Sequence, residues 1–378
     1  MNGTEIIYIT ILCYSLLYFG LLVVFWFFWK RPEPALRLPE ALPAISLVIP
    51  LRNEIQNIPL LLERLEAIPY PNMEVIFVDD HSADSTCFFL EEWLPQLNRE
   101  AHKIWRLIYA KGSGKKSCFE EGIYHASGDL IVLSAADVIY PKKWFQTLAG
   151  YFQDPKVQMV AGPVYCNEEG DFLYQFQQID RVFITFFTKA LWRMGWPLLI
   201  NGSNISFRAS AYEAVGGFYG TLNSLVGEDE FILRKMKKQF GLQSLAYITH
   251  PDFMVRVSVK ENWHDLLEQR YRWTTKWKVW RDAPHFIFGV GIVFMNVIYM
   301  LAFSLMLFDW YGTFIYGYMA IVKLSCELWL LKLLLSHFGL HQSWKIRLNY
   351  SFTQPLFVLG IASNFLKERW IWKNRIGN

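Results

Sequence analysis

Long uncharged stretches lie at both ends of the chain, on either side of a region of mixed polarity. Residues 6–29 carry no charge and are rich in Ile, Leu, Val and Phe. A helix of this length crosses about 30 Å of hydrocarbon, which predicts a transmembrane helix. The stretch lacks the basic start and the small-residue cleavage site of a signal peptide, so we expect it to be retained as an anchor.

Apolar residues dominate again in the last quarter of the chain. Residues 286–322 predict one clear span and one poorer span, separated at Asp309. Lys323 and Glu327 lie four residues apart on one helical face, so we expect them to pair inside a helix bundle rather than to serve transport. The stretch 348–366 is predicted either to span the membrane or to dip back into it. This gives two or three C-terminal spans.

Basic residues predict the orientation of these spans. Lys30, Arg31 and Arg37 follow the first span, in a Pro-rich linker that ends at residue 43. The positive-inside rule places the next region in the cytoplasm. The basic tail at 367–375 favours a cytoplasmic C-terminus, whereas a count of four spans places it outside. The pattern predicts a multi-pass protein of the cell (inner) membrane.

Residues 44–285 show the pattern of one soluble domain, between an anchor with its linker (1–43) and a C-terminal membrane region (286–378). Short apolar runs at 45–50 and 73–78 predict buried parallel strands, and apolar residues between them recur at helical spacing. A third strand is predicted at 130–133, after a helical stretch. Alternating strands and helices are typical of an open parallel α/β sheet.

Polar side chains follow each of the three predicted strands. They are Arg52, Asn53 and Glu54 after the first, Asp79 and Asp80 after the second, and Asp137 after the third. Ligands of open α/β sheets bind beyond the carboxyl ends of the strands. A cap or a turn explains any one of these residues. Six of them at three strand ends favour a nucleotide site.

Composition supports contact with lipid and excludes several other classes. The 378 residues are 53% hydrophobic and 17% aromatic, with 19% charged, against roughly 25% charged in ordinary soluble domains. A formal net charge of +3 gives no reason to expect a nucleic-acid partner. The five cysteines lie far apart, without the spacing of a zinc site, which indicates free thiols in a reducing compartment.

Residues 111–117, with the sequence KGSGKKS, approach the phosphate-loop motif without satisfying it. The first glycine of that motif is missing, and Lys116 stands where Ser or Thr is required. Lys115 or Lys116, at the start of a helix, could still meet a diphosphate, because helix N-termini attract anions.

Six motifs in order resemble those of the family 2 membrane glycosyltransferases, which include cellulose, chitin and hyaluronan synthases and ceramide glucosyltransferases. They are residues 49–54, 78–86, 114–115, 126–129, 227–229 and 269–273. The resemblance covers residue 44 to about residue 280, and residues 201–204 also resemble a family segment beside the acceptor. It implies a GT-A fold, a nucleotide-sugar donor and inversion at the anomeric carbon.

The resemblance also implies roles for individual residues. Asp229 would be the general base, with Glu228 beside it in the acidic pair. The donor would be bound by Pro50, Arg52, Glu54, Asp79, Asp80, Lys115, Ala136 and Asp137. The donor diphosphate and the acceptor sugar would be held by Gln269, Arg270, Arg272 and Trp273.

Simpler interpretations exist for two of these segments. Residues 228–230 could be a solvated helix start, because acidic side chains favour helix N-termini. Residues 263–281 could be an amphipathic helix at the membrane surface, a role compatible with the motif that it contains. Residues 174–196 are predicted to be a second such element.

The chain departs from the family at one position. Ala135 replaces the first carboxylate of the usual Asp-x-Asp, and Asp137 matches the second, which is directed at the metal. Mg²⁺ or Mn²⁺ can be held by one carboxylate, two phosphates and several waters, so a divalent metal is still expected.

The predicted function is transfer of a sugar from a UDP- or GDP-sugar to a lipid or lipid-linked acceptor at the cytoplasmic membrane face. One alternative is a processive polysaccharide synthase, for which the few spans leave little material to build a channel. Another is a catalytically silent scaffold that binds nucleotide sugars, prompted by Ala135.

Overall fold

The chain divides into two compact units in a computed structural model that describes residues 3–37, 41–100, 103–166, 170–219, 227–279, 283–307, 310–364, 370–372 and 375–377. The sheet unit comprises Pro32–Cys166 and Leu199–Ser258. The helical unit comprises Met1–Arg31, Asn167–Leu198 and Val259–Asn378. Asp309, the residues at 280 and 281, and the basic residues at 367, 369 and 373, all used in the sequence predictions, lie outside the described residues.

Helices and strands alternate through the first half of the chain, and helices dominate the last third. In chain order they are α1 (Gly3–Trp29), β1 (Ile45–Leu51), α2 (Ile58–Glu66), β2 (Met73–Asp79), α3 (Thr86–Glu100), β3 (Lys103–Tyr109), α4 (Lys115–Tyr124), β4 (Leu130–Leu133), α5 (Trp144–Tyr151), β5 (Met159–Ala161), β6 (Val164–Tyr165), α6 (Phe172–Arg193), β7 (Ile205–Arg208), α7 (Ala209–Ala214), α8 (Glu228–Phe240), β8 (Leu245–Tyr247), β9 (Val255–Arg256), α9 (Trp263–Val279), α10 (Ala283–Met306), α11 (Trp310–His337), α12 (Trp344–Asn364), β10 (Trp370–Trp372) and β11 (Arg375–Gly377).

The sheet unit is built on a seven-stranded sheet in the order β3-β2-β1-β4-β7-β5-β8. Strands β3, β2, β1 and β4 are parallel, which confirms the predicted parallel strands β1, β2 and β4. The complete sheet is mixed rather than purely parallel, because β7, which was not predicted, runs antiparallel to β4 and β5. Strand β7 enters the sheet after a segment of the other unit, so no strand–helix–strand crossover imposes the parallel direction on it.

Strand β3 was not predicted, because it lies at an edge of the sheet. Its sequence, KIWRLIY, mixes charged and apolar residues, and several of its side chains are partly exposed. Lys103 is nonetheless buried, and its Nζ donates to the carbonyls of Leu65 (2.8 Å) and Glu66 (2.7 Å) at the end of α2. The Glu66 carbonyl thereby gains a partner at the end of the helix, and the Leu65 carbonyl gains one besides the N–H of Ile68.

The helical unit contains α1, α6 and α9 to α12. Helix α6 contacts α1, α11 and α12, and α9 contacts α12. Among the described helices, one segment is long and apolar enough to cross a membrane, Phe286–Met306 in α10, with a mean hydropathy of 2.3. Helix α1 contributes a shorter apolar segment, Cys13–Trp29. The multi-pass arrangement therefore stays a prediction.

The expected pair of buried charges in α11 is confirmed. Lys323 Nζ lies 2.7 Å from a carboxylate oxygen of Glu327, and both side chains are almost fully buried. The hydroxyl of Tyr18 donates to Glu327 (2.6 Å), and Lys323 also donates to the carbonyl of Ser351 (3.2 Å). These bonds tie α1 and α12 to α11, and they offset the cost of removing two charges from water.

Candidate active site

The loops that follow β1 and β2 are bonded to each other at the carboxyl edge of the sheet. Arg52 Nη1 donates to the backbone oxygen of Asp80 at 2.6 Å and lies 3.9 Å from its Oδ2. Asn53 has a φ of 52°, in the left-handed region that Asn tolerates better than most residues. Its Oδ1 accepts from the N–H of Ala83 at 2.8 Å. The two loops thus form one wall of the site.

Two buried carboxylates stand behind this wall. Asp79 is 3% exposed and accepts from the N–H of Ser82, with 3.1 Å to Oδ2. Asp80 is 1% exposed, and its Oδ1 accepts from the N–H of Gly114 at 3.0 Å. Burial, together with a hydrogen bond from the Cys87 thiol to Asp79, raises the pKa of that thiol to about 12. Both carboxylates are therefore held in fixed orientations.

Glu54 is positioned through its backbone. Its N–H donates to Thr86 Oγ1 at 2.9 Å, and its Oε2 accepts from Asn57 Nδ2 at 2.7 Å. Pro50 lies within β1, where it is paired in register with Val78. Each residue predicted after the first two strands therefore lies in or beside the same pair of connected loops.

The start of α4 brings a cation to this edge. Gly114 precedes the helix with a φ of 92°, which a residue with a Cβ rarely adopts. Lys115 Nζ lies 3.9 Å from Glu228 Oε1, and the Lys115 side chain is 26% exposed, so the ammonium group can meet a ligand. Lys116 is buried, and burial lowers its pKa although Glu228 and Glu120 oppose that shift.

The acidic start of α8 is buried rather than solvated. Glu228, Asp229 and Glu230 are 9%, 3% and 4% exposed, so the interpretation as a solvated helix start is wrong. Asp229 Oδ2 accepts from the N–H of Gly202 at 3.1 Å, and Oδ1 accepts from the N–H of Glu230 at 2.9 Å. These two bonds fix the orientation of the carboxylate, and an ionised carboxylate is a group that can accept a proton.

Asp137 follows β4 on a partly exposed turn. It is half-buried, the preceding Ala136 is buried, and Ala135 is half-buried. No group of three His, Cys, Asp or Glu side chains that could hold a metal ion occurs in the described ranges. The role of Asp137 as a metal ligand therefore stays a prediction.

The motif at 269–273 lies in α9, in the helical unit. Arg270 is buried, and its Nε and Nη2 contact Asp180 Oδ2 at 3.0 Å and 2.5 Å. Its Nη1 donates to Gln269 Oε1 at 2.9 Å, and its guanidinium carbon lies 4.2 Å from the centroid of the Trp273 ring. Arg272 is half-buried. The motif is therefore braced by α6, through Asp180.

Four contacts involve five of the ten predicted residues of the sheet unit, Arg52, Asp80, Lys115, Glu228 and Asp229. Asp80 joins the ends of β1 and β2 to Gly114, Lys115 joins α4 to Glu228, and Asp229 joins α8 to Gly202. The exact roles of Gly202 and Asp180 were not predicted. For Gly202 the sequence held a signal, its place in residues 201–204; for Asp180 the only signal was a charge within an aromatic helix.

Known proteins resemble this chain in sequence. Residues 46–216 match the model of glycosyl transferase family 2. A probable glycosyltransferase of Bacillus subtilis is 25% identical over 246 residues, which are 62% of this chain and 55% of the relative. A poly-beta-1,6-N-acetyl-D-glucosamine synthase of Staphylococcus epidermidis is 24% identical over 256 residues, 66% of this chain and 59% of the relative.

A shorter match is closer in sequence. An undecaprenyl-phosphate 4-deoxy-4-formamido-L-arabinose transferase of Proteus mirabilis is 34% identical over 109 residues, which are 27% of this chain and 31% of the relative. The chain thus spans from about a third to three fifths of the length of these relatives.

One solved structure shares the fold over nearly the whole chain. A mannosyltransferase from Pyrobaculum calidifontis, in complex with GDP-mannose and Mn²⁺, superposes with a TM-score of 0.61 at 18% identity. The match covers 95% of this chain and 98% of the other. This match shows that the chain has a GT-A fold, and residues 46–216 resemble glycosyl transferase family 2.

Proposed function

We propose that the protein is an inverting glycosyltransferase that moves a sugar from a nucleoside-diphosphate sugar to a lipid or lipid-linked acceptor at the cytoplasmic membrane face. The observation that carries the proposal is the series of contacts from Asp80 through Gly114 and Lys115 to the acidic start of α8. It connects the carboxyl edge of the sheet, where open α/β sheets bind nucleotides, to a fixed and buried carboxylate.

The donor would be bound by groups of both signs. Asp79 and Glu54 offer acceptor oxygens for the base and the ribose, and Pro50 and Ala136 offer apolar contact. Lys115 and Arg52 would face the negative charge of the diphosphate, which grows as the bond to the anomeric carbon breaks. The backbone N–H groups at the start of α4 would add to this stabilisation.

Asp229 would be the general base. Inversion requires the acceptor oxygen to attack the anomeric carbon from the face opposite the leaving diphosphate. As the new carbon–oxygen bond forms and the bond to the diphosphate breaks, a carboxylate oxygen of Asp229 would take the proton of the acceptor hydroxyl. Glu228 lies beside Lys115 and would keep that cation oriented.

Asp137 would hold a divalent metal, Mg²⁺ or Mn²⁺. One protein carboxylate fits an ion that completes its coordination with donor phosphates and water. When bound, such an ion neutralises charge on the diphosphate leaving group. Mn²⁺ accompanies the donor in the mannosyltransferase with the shared fold, which supports a metal here without selecting between the two.

A membrane location is supported by the helical unit. Only 22% of the apolar segment Phe286–Met306 is buried within the protein, whereas a core helix of a soluble protein is mostly buried. The Proteus relative is named for a lipid phosphate acceptor. We propose accordingly that residues 1–43 anchor a catalytic domain at 44–285, and that 286–378 form the C-terminal membrane region.

A processive polysaccharide synthase is the second candidate. The observation in its favour is the match to the poly-N-acetylglucosamine synthase over 66% of this chain. The size of the product distinguishes the two candidates, because a single transfer yields a lipid that carries one sugar. A silent scaffold, suggested by Ala135, would bind nucleotide sugar without turnover.

The test uses the purified full-length protein in detergent with Mn²⁺ or Mg²⁺, a panel of UDP- and GDP-sugars, and polyprenyl phosphate or diacylglycerol as acceptor. Release of nucleoside diphosphate and transfer of labelled sugar to lipid are followed together, and the anomeric configuration of the product is read by NMR. We expect one donor to support transfer with inversion. If no donor bound and no donor supported turnover, the proposal would be overturned.

A further inference from the structure

A row of buried polar residues runs along one face of α6. Its members follow at helical spacing and are Gln177, Gln178, Arg181, Thr185, Thr188 and Lys189. Side chains three or four residues apart lie on the same face of a helix. A polar row inside a unit of apolar and aromatic helices must satisfy its hydrogen-bonding groups locally, because buried polar groups without partners are costly.

Most of this row has partners. The Gln177 side chain exchanges two hydrogen bonds with the backbone of Lys260, at 2.9 Å and 2.8 Å. Gln178 Oε1 accepts from Gln342 Nε2 at 2.7 Å, and the Thr188 hydroxyl donates to the carbonyl of Ile184 at 2.7 Å. The local structure therefore accounts for these residues.

Arg181 differs from these residues. The residue is 5% exposed, and its buried Nε has no hydrogen-bond partner. Within the described part of the chain, its guanidinium carbon lies 5.8 Å from the centroid of the Trp273 ring and forms no ion pair. A guanidinium carries five N–H donors, so it is the most demanding group in the row.

Arg270 provides a comparison within the same cluster. It is equally buried and lies over the same Trp273 ring, but Asp180 neutralises it. Two buried guanidinium groups thus lie against one tryptophan, and the carboxylate of Asp180 contacts Arg270. Arg181 retains a positive charge that nothing described in the helical unit balances, and a buried charge normally requires a partner.

We propose that Arg181 binds a phosphate group, and that this phosphate belongs to a lipid acceptor. The guanidinium fork matches phosphate geometry and forms charge-assisted bonds that are stronger than neutral ones. Phosphate lipids are the anions that a membrane surface offers to a protein. The inference deepens the proposed function, since it makes the acceptor a lipid phosphate rather than a neutral lipid.

The first experiment measures ligand-dependent thermal stability of the full-length protein in maltoside detergent and phosphate-free buffer. The probes are a polyprenyl phosphate, the matching polyprenyl alcohol and inorganic phosphate. The variants are Arg181→Met, and Lys332→Met as the control, which removes the same charge from an exposed position of α11. A ligand that binds the folded state raises its apparent stability.

We expect polyprenyl phosphate, but not the alcohol, to stabilise the native protein and the control. Arg181→Met should weaken the apparent affinity for polyprenyl phosphate by about tenfold or more, the worth of a charge-assisted bond. Stabilisation by inorganic phosphate at equal concentration would assign the site to free phosphate and overturn the lipid source. Unchanged affinity in Arg181→Met would overturn the site itself.

The second measurement separates binding from a structural role. Without ligand, Arg181→Met should melt at the same temperature as the native protein or higher, because a buried charge without a partner is removed. A clear fall in melting temperature, or failure to fold, would show that Arg181 is structural and would overturn the proposal. UDP and GDP binding, measured alongside, tests the proposed function separately, since Arg181→Met should leave it unchanged.

Discussion

Replacement of Asp229 by Asn tests the proposed base with almost no change in shape. Among its contacts, the native carboxylate accepts the N–H of Gly202 at 3.1 Å and the N–H of Glu230 at 2.9 Å, each at a different oxygen. An amide keeps one oxygen and turns an NH₂ group towards the other N–H donor. The variant therefore loses the proton acceptor and also leaves one buried donor without a partner.

The two losses have separate magnitudes. A general base contributes about 10²–10⁴ in rate, which corresponds to about 3–5 kcal/mol in the activation free energy. The donor left without a partner costs about 1–3 kcal/mol of folding free energy. That is less than the stability of a typical domain, about 5–15 kcal/mol, so we expect Asp229→Asn to fold and to bind nucleotide while kcat falls by at least about a hundredfold.

The assay compares kcat from nucleoside diphosphate release with nucleotide affinity from calorimetry and with the melting temperature. Asp171→Asn is the matched control, because Oδ1 of Asp171 accepts from both Leu173 and Tyr174 at the start of α6, and an amide oxygen can replace it. The role of base would be refuted if kcat stayed within about tenfold of the native value, or if nucleotide affinity fell in parallel with kcat.

Three further predictions concern neighbouring features of the sheet unit. A Cβ at Gly202 would lie 3.3 Å from Asp229 Oδ2, so Gly202→Ala should displace the carboxylate and lower kcat by about tenfold. Gly317→Ala is the control, because a Cβ there meets no atom within 4 Å, and it should leave kcat unchanged. Ala135→Asp adds a carboxylate near Asp137, the proposed metal ligand, and should lower the Mn²⁺ concentration for half-maximal donor binding by about tenfold. If a Mn²⁺ titration gave the same concentration for both proteins, a metal site at Asp137 would be contradicted. The pKa of the Cys87 thiol is raised to about 12, so about one thiol in a thousand is ionised at pH 9. The rate of Cys87 alkylation, measured by mass spectrometry, should therefore keep rising above pH 11. A rate that stops rising near pH 9 would contradict the raised pKa.

The sequence predicts those parts of the fold in which local pattern and burial agree. Strands β1 and β2 are apolar almost throughout because both faces are covered, and their runs stand out between prolines and acidic residues. Edge strand β3 carries charged residues that bond elsewhere, such as Lys103 at the end of α2. No local pattern distinguishes such a strand from a loop.

The same distinction applies to the site. Asp79 and Asp80 could be predicted because strand ends meet at one edge of a parallel sheet. The bond between Arg270 and Asp180 could not, because these residues are ninety positions apart and neither α6 nor α9 carries a pattern that pairs them. The burial of the acidic residues at the start of α8 could not be predicted from the sequence either, because the same residues are equally common at a solvated helix start.

The buried charges of the helical unit suggest why Arg181 differs from the rest. Lys323 and Glu327 neutralise each other, and Tyr18 and Ser351 supply further bonds, so the pair holds helices together without needing a ligand. Arg270 has Asp180. Each of these arrangements would lose stability if one partner were removed, by about 3–5 kcal/mol for a buried pair. In this comparison only the replacement of Arg181 should leave the stability of the protein unchanged or raise it, and binding of an anion to Arg181 should raise it further. A structural residue would show a loss of stability instead.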